Sequence, residues 1–330
     1  MYNIPVILRS FGINASEIKI ERISTGHVNE TLKIYSKDGL YILQKINTDI
    51  FRCPEKVMHN INIAQTLMKK GFLENGTDPS GRFPAYLYSG NKNYLTDNGF
   101  WRIYEYIESV DAPPTIESVG IFGSLLGEFH KYTDTADTSE LYTTIDGFHD
   151  IEKNISAAVM CDGICGKTAD YLSEVNEFYK RSKSCLSEKR LVHNDVKCAN
   201  VLINPLSGLP EAIIDYDTVM EGYAAFDFGD AVRSACVTSD YKIDTSMLKS
   251  LAEGYNSQYG RLCPEEQALG ILAITTELSA RYLHSCLSDK NGFPAMTVAE
   301  RLERHENTLR LSQHIFENFS GIVSICRQTT

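Results

Sequence analysis

Polar and apolar residues alternate along most of the first third of the chain. In ETLKIYS (30–36), for example, Leu32 and Ile34 fall on one side, as in a half-buried strand. Asp38-Gly39 follows directly and is a favoured hairpin turn. The segments that fit this pattern are 16–24, 30–36, 40–46, 83–88 and 100–107. They predict a β-rich region, interrupted by one amphipathic helix that begins at Pro54 and ends near Gly71.

The pattern changes after Ile107, where Ala112-Pro113-Pro114 breaks the last strand. Apolar residues then recur at spacings of three and four, which predicts helices over 115–132, 243–260, 264–288 and 296–318. Residues 190–217 instead resemble a short strand, a loop and a hairpin. We therefore predict an α+β fold with two lobes, a small β-rich lobe at 1–107 and a larger α-rich lobe at 108–330. The crossing between them is expected at about 106–112.

Composition narrows the class of protein. The 330 residues carry a formal net charge of −11, which disfavours nucleic acid as a partner because phosphate binding needs a basic face. No apolar stretch reaches the roughly 18 residues of a membrane span, and the opening residues do not resemble a signal peptide. The nine cysteines are scattered, which is typical of reduced thiols. We therefore expect a cytoplasmic protein with no membrane partner.

The loop after the apolar strand end at Leu191 and Val192 carries candidate chemistry in the pattern H-x-D-x-x-x-x-N. These residues are His193, Asp195 and Asn200. Asp195 can accept the proton of an attacking hydroxyl, and Asn200 can coordinate a magnesium ion that bridges nucleotide phosphates. A polar turn between two strands is the alternative reading of so short a pattern. The apolar strand end before it and the hairpin after it favour the catalytic reading.

Two aspartates compete for the role of the main metal ligand. Asp227-Phe228-Gly229 repeats the tripeptide of protein kinases, but it stands at the start of a predicted helix, where an aspartate caps the helix or anchors a loop. Asp215 instead ends an apolar strand, where a metal can bind. We therefore predict a metal role for Asp215 and a structural role for Asp227. Asp217 is a weaker second candidate, because residues at i and i+2 of a strand share a face.

Several stretches resemble one family of phosphotransferases. HNDVKCANVLI, IIDYDTVM and FDFGDAVR look like the family of aminoglycoside phosphotransferases, choline kinases and homoserine kinases. STGHVNETLKI, FRCPEKVMHNI and ELSARYL are most similar to its N-acetylhexosamine 1-kinase branch. The resemblance implies a protein-kinase-like two-lobe fold and the use of ATP and Mg²⁺. It also implies that Asp195 is the base, that Asn200 and Asp215 hold the metal, and that His193 and Asp227 are structural.

The same resemblance implies a nucleotide site in the β-rich lobe. The loop at 24–29 looks like the family's phosphate-covering loop, with Ser24, Thr25, Gly26 and Asn29 as candidate contacts. The next strand offers Gln44 and Lys45 on opposite faces. Gln44 falls where related enzymes have a lysine, whereas Lys45 is chemically the better phosphate ligand. Backbone groups at Glu105 and Ile107 would meet the adenine.

The acceptor side is less clearly marked. Glu277 and Arg281 are four residues apart on a predicted helix, so they form an intrahelical ion pair or line the acceptor pocket. The candidate acceptor contacts are His27, Asp217, Arg233, Glu277 and Arg281. We expect a small hydroxylated substrate, by the resemblance an N-acetylhexosamine phosphorylated at its anomeric hydroxyl. The alternatives are another small alcohol, such as an aminoglycoside, choline, homoserine or another sugar, or a catalytically inactive nucleotide-binding module.

Overall fold

The computed structural model describes residues 2–23, 28–288, 293 and 295–330. Their N-terminal part is built on an antiparallel sheet of five described strands in the order β1-β2-β3-β5-β4. The strands are β1 (Lys19–Ile23), β2 (Glu30–Ser36), β3 (Gly39–Lys45), β4 (Leu95–Thr96) and β5 (Phe100–Glu105). Two helices, α1 (Ile4–Ser10) and α2 (Pro54–Glu74), accompany this sheet. The predicted hairpin is confirmed, because Ser36 pairs with Gly39 at the β2–β3 turn.

One predicted strand is wrong. FPAYLY at 83–88 forms a single bridge, from Tyr86 to Tyr104, instead of a ladder. Pro84 has no amide hydrogen, so the segment cannot donate at that position. Tyr86 still packs its ring edge on Tyr104, with ring centroids 5.2 Å apart, and so closes one side of the sheet.

The two faces of the sheet have different partners. Helix α1 covers the outer face, where Ile7 and Leu8 pack with Leu43, Trp101 and Ile103. Side chains at the alternate positions of the central strands, among them Thr31, Gln44 and Arg102, lie on the inner face. The inner face points toward the C-terminal part and therefore borders the cleft.

The C-terminal part is helical. Its described helices are α3 (Ile116–Thr133), α4 (Ile151–Val159), α5 (Gly166–Ser182), α6 (Ala224–Ala235), α7 (Thr245–Gln258), α8 (Pro264–Leu287), α9 (Val298–Glu317) and α10 (Phe319–Arg327). The four predicted helices are confirmed as α3, α7, α8 and α9 to within a few residues. The predicted island contains β6 (Arg190–Val192), β7 (Val201–Ile203) and β8 (Pro210–Ile213), and β9 (Met220–Gly222) pairs with β6.

Glycines bring α6 and α8 into backbone contact. A Cβ atom at Gly229 would collide with the carbonyl oxygen of Gly270, and one at Gly270 would collide with that of Ala225. The glycine of the Asp227-Phe228-Gly229 tripeptide therefore serves helix packing. Phe228 is fully buried in the same core. This close crossing fixes the position of α6, which carries Asp227 against the loop that follows β6.

Among the described residues, no helix is both long enough and apolar enough to cross a membrane.

Candidate active site

Asp227 holds the start of the loop that follows β6. Its fully buried carboxylate accepts hydrogen bonds from the backbone amides of His193 (2.7 Å) and Asn194 (2.6 Å). His130 of α3 lies 3.0 Å from the same carboxylate through Nε2. Burial alone would raise the pKa of Asp227, but the contact with His130 and the amide of His193 lower it. The structure thus places Asp227 beneath the loop as an anchor, out of reach of solvent.

His193 and Asn194 shape the same loop. The His193 ring is fully buried, its Nε2 lies 3.1 Å from the carbonyl oxygen of Ile214, and burial lowers its pKa. The backbone of Asn194 is left-handed, with φ of 65°, a conformation that asparagine tolerates better than most residues. The sharp turn at Asn194 lets the next residue, Asp195, project away from the core. Asp195 is half-buried, with its side chain 24 % exposed.

Two side chains hold Asp195. Asn200 donates from Nδ2 to the Asp195 backbone oxygen (2.8 Å) and to its carboxylate (3.0 Å). Lys197 donates from Nζ to the same carboxylate at 2.7 Å. Burial lowers the pKa of Lys197, but the charges of Asp195 and Asp215 outweigh it and raise the pKa overall. Lys197 was not among the predicted site residues, although it stands two positions after Asp195 in the quoted stretch HNDVKCANVLI.

Asp215 lies just after β8 in a left-handed conformation, with φ of 71°. Its side chain is open to the cleft. The protein packed around it, together with the nearby carboxylates of Asp217 and Asp195, raises its pKa to about 7. Such crowding of negative charge suits a site that receives a cation.

The donor set fits Mg²⁺. Asn200 uses its amide nitrogen on Asp195, which leaves its amide oxygen for a cation beside the Asp215 carboxylate. No group of three or more Cys, His, Asp or Glu side chains that could enclose a metal exists within the described ranges. Mg²⁺ does not need one, because it is commonly held by one or two protein groups together with phosphate oxygens and water. Asn200 and Asp215 match that mode of binding.

Asp217 does not face the acceptor side. Its carboxylate pairs with the guanidinium of Arg102 and accepts a 2.6 Å hydrogen bond from Asn29 Nδ2. Asp217 and Arg102 are both buried, and both partners of Asp217 come from the N-terminal part. The acceptor contact and the direct metal contact predicted for Asp217 are therefore corrected to a contact that joins the two parts of the chain. The amide oxygen of Asn29 accepts from the backbone of Asn47 (3.0 Å), so its side chain is part of this junction.

The choice between Gln44 and Lys45 is also decided by position. Lys45 lies on the outer face, with Nζ 4.8 Å from the ring centroid of Tyr2 and 5.8 Å from that of Trp101. Its predicted contact with phosphate is therefore wrong, because the whole sheet separates it from the cleft. Gln44 lies on the inner face and accepts a 2.9 Å hydrogen bond from Arg102 Nε.

The remaining predicted nucleotide contacts form two groups, one outside the described residues and one at the end of β5. Ser24, Thr25, Gly26 and His27 lie outside the described residues. Glu105 ends β5 and is exposed, and Ile107 follows it in half-buried extended chain. Tyr106 donates to Leu40 of the neighbouring strand at 2.9 Å. Successive residues of a strand direct their N–H and C=O groups to opposite sides. Because the N–H of Tyr106 points to β3, the N–H and C=O groups of Glu105 point away from β3.

Glu277 is enclosed by protein. It is fully buried, and its oxygens contact Asn154 Nδ2 (2.7 Å), His149 Nδ1 (3.3 Å) and Arg281 (3.7 Å). Burial raises its pKa, but Arg281, His149 and Asn154 outweigh it and lower the pKa to about 2. The predicted acceptor contact of Glu277 is corrected for this reason, while its predicted ion pair with Arg281 is present. Arg281 keeps 27 % of its side chain exposed.

His149 links Glu277 to the catalytic loop. Its Nε2 lies 2.8 Å from the carbonyl oxygen of Asn194, directly before Asp195. Both ring nitrogens therefore face oxygen acceptors, an arrangement that only the protonated ring satisfies fully. Burial lowers the pKa of His149, but the contact with Glu277 outweighs it and raises the pKa. Sequence reasoning missed His149, whose backbone φ of 53° marks a constrained position.

Arg233 lies one helical turn from Asp230 on α6, and the two form an ion pair with little exposure. Burial and the charge of Asp195 raise the pKa of Asp230, although Arg233 opposes them. The acceptor contacts predicted for Arg233 and Arg281 stay predictions.

Several solved structures have the same fold. An aminoglycoside phosphotransferase from Alicyclobacillus acidocaldarius is 14% identical, with 99% of this chain and 97% of that chain covered and a TM-score of 0.63. A choline kinase from Cryptosporidium parvum is 13% identical, with 97% and 96% covered and a TM-score of 0.57. A spectinomycin phosphotransferase in complex with ADP and spectinomycin is 14% identical, with 100% and 98% covered and a TM-score of 0.55.

These matches confirm the predicted α+β fold of the protein-kinase-like type, with a five-stranded antiparallel sheet in the described N-terminal part and a helical C-terminal part. The match also extends to the sequence, because the model of the phosphotransferase enzyme family fits residues 19–269. The chain belongs to the phosphotransferase enzyme family.

Proposed function

We propose that this protein is a kinase that transfers the γ-phosphoryl group of ATP to a hydroxyl group of a small molecule, with Mg²⁺ as cofactor. The observation that carries this proposal is the arrangement around Asp195. Its carboxylate contacts Asn200 at 3.0 Å and Lys197 at 2.7 Å, and it lies near enough to Asp215 to raise the pKa of that residue. The site thus contains a base, two groups that can bind a metal, and a cation that can contact phosphate.

The reaction follows from these positions. Asp195 accepts the proton of the acceptor hydroxyl as its oxygen bonds to the γ-phosphorus, and the bond from that phosphorus to the bridging oxygen of ADP breaks. Lys197 holds positive charge at the same carboxylate, where it would also stabilise the charge of the transferred phosphoryl group. Asn200 and Asp215 would hold Mg²⁺, which neutralises charge on the nucleotide phosphates. Asp227 keeps the loop in place throughout.

The two parts of the chain then divide the work. We assign residues 1–107 to a nucleotide-binding lobe and 108–330 to a catalytic and acceptor-binding lobe, with the hinge at about 106–112. In this assignment Ser24, Thr25 and Gly26 cover the phosphates, and backbone groups at Glu105 and Ile107 meet the adenine.

For the acceptor we propose an N-acetylhexosamine, phosphorylated at its anomeric hydroxyl. The motif resemblance supports this choice, and so does the balance of charge near Asp195. Three carboxylates there each contact a cation, in the pairs Asp195–Lys197, Asp230–Arg233 and Glu277–Arg281. A balanced set of this kind suits a neutral acceptor, because a cationic one gains most from carboxylates that lack a partner.

The alternative is a kinase of another small alcohol. Aminoglycoside phosphotransferases and a choline kinase share the fold, and their substrates are cationic alcohols. To bind such a substrate, each paired carboxylate would have to release the lysine or arginine that it contacts and bind the cationic group of the substrate instead. Another neutral sugar remains compatible with the same charge balance.

A coupled assay of ADP release tests the proposal. The acceptors to compare are N-acetylglucosamine, N-acetylgalactosamine, plain hexoses, choline, homoserine and an aminoglycoside, each with ATP and Mg²⁺. Stimulation by an N-acetylhexosamine that is lost in Asp195→Asn supports the proposal. Stimulation only by choline or an aminoglycoside refutes the neutral acceptor and favours the alternative.

A further inference from the structure

On the described inner face of the sheet, the position of β3 that borders the metal-binding segment holds a glutamine; Lys33 of β2 shares this face, but its Nζ lies over the ring of Tyr106, 3.5 Å from the centroid. Gln44 takes the position on β3, and Lys45 lies on the outer face against Tyr2 and Trp101. The acids of α2, Glu55 and Glu74, stand at its two ends and are exposed, and the turn of α2 that contacts Arg102 does so through Met58, 3.9 Å from Sδ to the guanidinium. A kinase of this fold therefore needs another source of positive charge beside Gln44, and another tie between the sheet and the catalytic residues.

Arg102 occupies that place. It lies on β5 directly opposite Gln44 in the strand register, and its Nε donates to Gln44 Oε1 at 2.9 Å. The guanidinium pairs with the carboxylate of Asp217 and lies 5.2 Å from the ring centroid of Tyr86. Arg102 is only 1% exposed, so these contacts define its position.

Asp217 links this arginine to the metal-binding segment. It stands two residues after Asp215 in the short helical turn Tyr216–Thr218. Its carboxylate is also bonded by Asn29, which in turn holds the backbone of Asn47. Two side chains of the N-terminal part, Arg102 and Asn29, thus bind the segment that carries Asp215.

A gain in the stability of the fold does not explain why a buried ion pair occupies this position. Removing two charges from water costs about as much as their attraction returns, and apolar side chains of similar size often do as well. An ion pair retained in this place is better explained by position, because it fixes where the sheet stands relative to Asp215.

We propose that Arg102 is a positioning residue for the Mg·ATP site, which takes over the part that a strand lysine and a helix glutamate play elsewhere in this fold. Its charge holds Asp217, and through Asp217 it fixes the turn that carries Asp215, the residue that would hold the metal. This inference rests on the proposed function, because it assumes that Mg·ATP is the ligand.

Binding of ATP in the presence of Mg²⁺, measured by calorimetry alongside melting temperature, tests the proposal. Arg102→Met should weaken Mg·ATP binding by at least 10-fold. The matched control is Arg82→Met, which breaks the half-buried Arg82–Glu128 pair (3.0 Å) and leaves Gln44, Asn29 and Asp217 unchanged. The control should change the melting temperature without changing Mg·ATP binding.

A rescue variant separates charge from shape. Gln44→Lys places a cation on the same face, so it should recover most of the lost affinity in the Arg102→Met background. In the wild-type background the same change brings two cations together and should weaken binding or lower the melting temperature. If Arg102→Met does not fold, Arg102→Lys replaces it, with several-fold weaker binding expected because the lysine cannot reach both Gln44 and Asp217.

The outcomes that overturn the inference are distinct from those that overturn the function. If the wild-type protein binds Mg·ATP and Arg102→Met binds it equally well, Arg102 is only structural. The inference also fails if Gln44→Lys restores nothing in a folded Arg102→Met protein. If the wild-type protein binds no Mg·ATP at all, the proposed function fails and the inference fails with it.

Discussion

The carboxylate of Asp227 and the backbone amide of Asn194 are joined by a 2.6 Å hydrogen bond, although 33 positions separate the two residues in the chain. A second bond, to the amide of His193 at 2.7 Å, makes the contact bidentate. The aspartate of the kinase-like tripeptide therefore acts on the catalytic loop from below, and Asp195 is left free to face the cleft. These two hydrogen bonds distinguish Asp227, which anchors the loop, from an aspartate that binds a metal.

Asp227→Ala should destabilise the protein. The substitution leaves two buried amides without an acceptor, and each such group costs about 1–3 kcal/mol. We expect the free energy of unfolding in urea to fall by about 2 kcal/mol or more, and activity to fall because the loop before Asp195 is no longer held. Asp227→Asn keeps the shape and one acceptor, so it should lose less. An Asp227→Ala protein with unchanged stability but no Mg²⁺-dependent nucleotide binding would show that Asp227 is the metal ligand instead.

Asp195→Asn should remove proton transfer and spare nucleotide binding. The amide has the same shape, but it cannot accept the hydroxyl proton, and loss of a general base typically lowers kcat by about 10²–10⁴-fold. Initial rates and ATP titrations on the same preparation check this. Asp170→Asn, an exposed acid of α5, is the control and should behave as wild type. Normal turnover by Asp195→Asn would refute its role as the base.

Asp215→Asn should uncouple nucleotide binding from magnesium. In the wild-type protein we expect ADP to bind more tightly with Mg²⁺ than with EDTA, and in the variant the two affinities should become equal. The variant also removes one of three crowded carboxylates, so without ligand at pH 8 its melting temperature should rise. Asp170→Asn, an exposed acid of α5, serves again as control and should keep the magnesium dependence of the wild-type protein. Magnesium dependence that survives Asp215→Asn would exclude Asp215 as a ligand.

Sequence patterns predicted the β2–β3 hairpin and the helices α3, α7, α8 and α9, because strand alternation and helix periodicity are local properties. They also located Asp215 at a strand end and Asp227 at a helix start. They showed that Gln44 and Lys45 lie on opposite faces, but not which face borders the cleft. That depends on α1, a helix of seven residues whose Ile7 and Leu8 cover the outer face.

Sequence patterns could not predict the ion pairs between residues that are far apart in the chain, and the reason is different. Arg102 reads as an ordinary strand residue, and nothing local indicates that Asp217 will neutralise it across the cleft. Glu277 and Arg281 showed their helical spacing, but the burial of Glu277 depends on His149 and Asn154 from distant segments. The tertiary fold alone decides which charges meet.

The contact between His149 and Glu277 should make stability depend on pH. The pKa of His149 is raised above its usual 6.5, so its contribution is complete below pH 6.5 and is lost as the pH rises through the raised value. The pKa of Glu277 is lowered to about 2, so its contribution is present above its usual 4.5 and is lost as the pH falls toward 2. The pair therefore stabilises the fold most between about pH 4.5 and 6.5.

Urea unfolding at pH 5.5, 6.5, 7.5 and 8.5 measures this dependence. The free energy of unfolding of the wild-type protein should fall across the upper part of this range, whereas His149→Gln should show a flatter profile because the titrating ring is gone. The variant should also lower kcat more than it raises the KM for ATP, since Nε2 of His149 holds the carbonyl oxygen directly before Asp195 at 2.8 Å. His314→Gln, at the exposed end of α9, is the matched control and should leave the wild-type slope intact. Equal slopes for wild type and His149→Gln would mean that the ring does not change its charge in this range and that the contact with Glu277 is that of a neutral histidine.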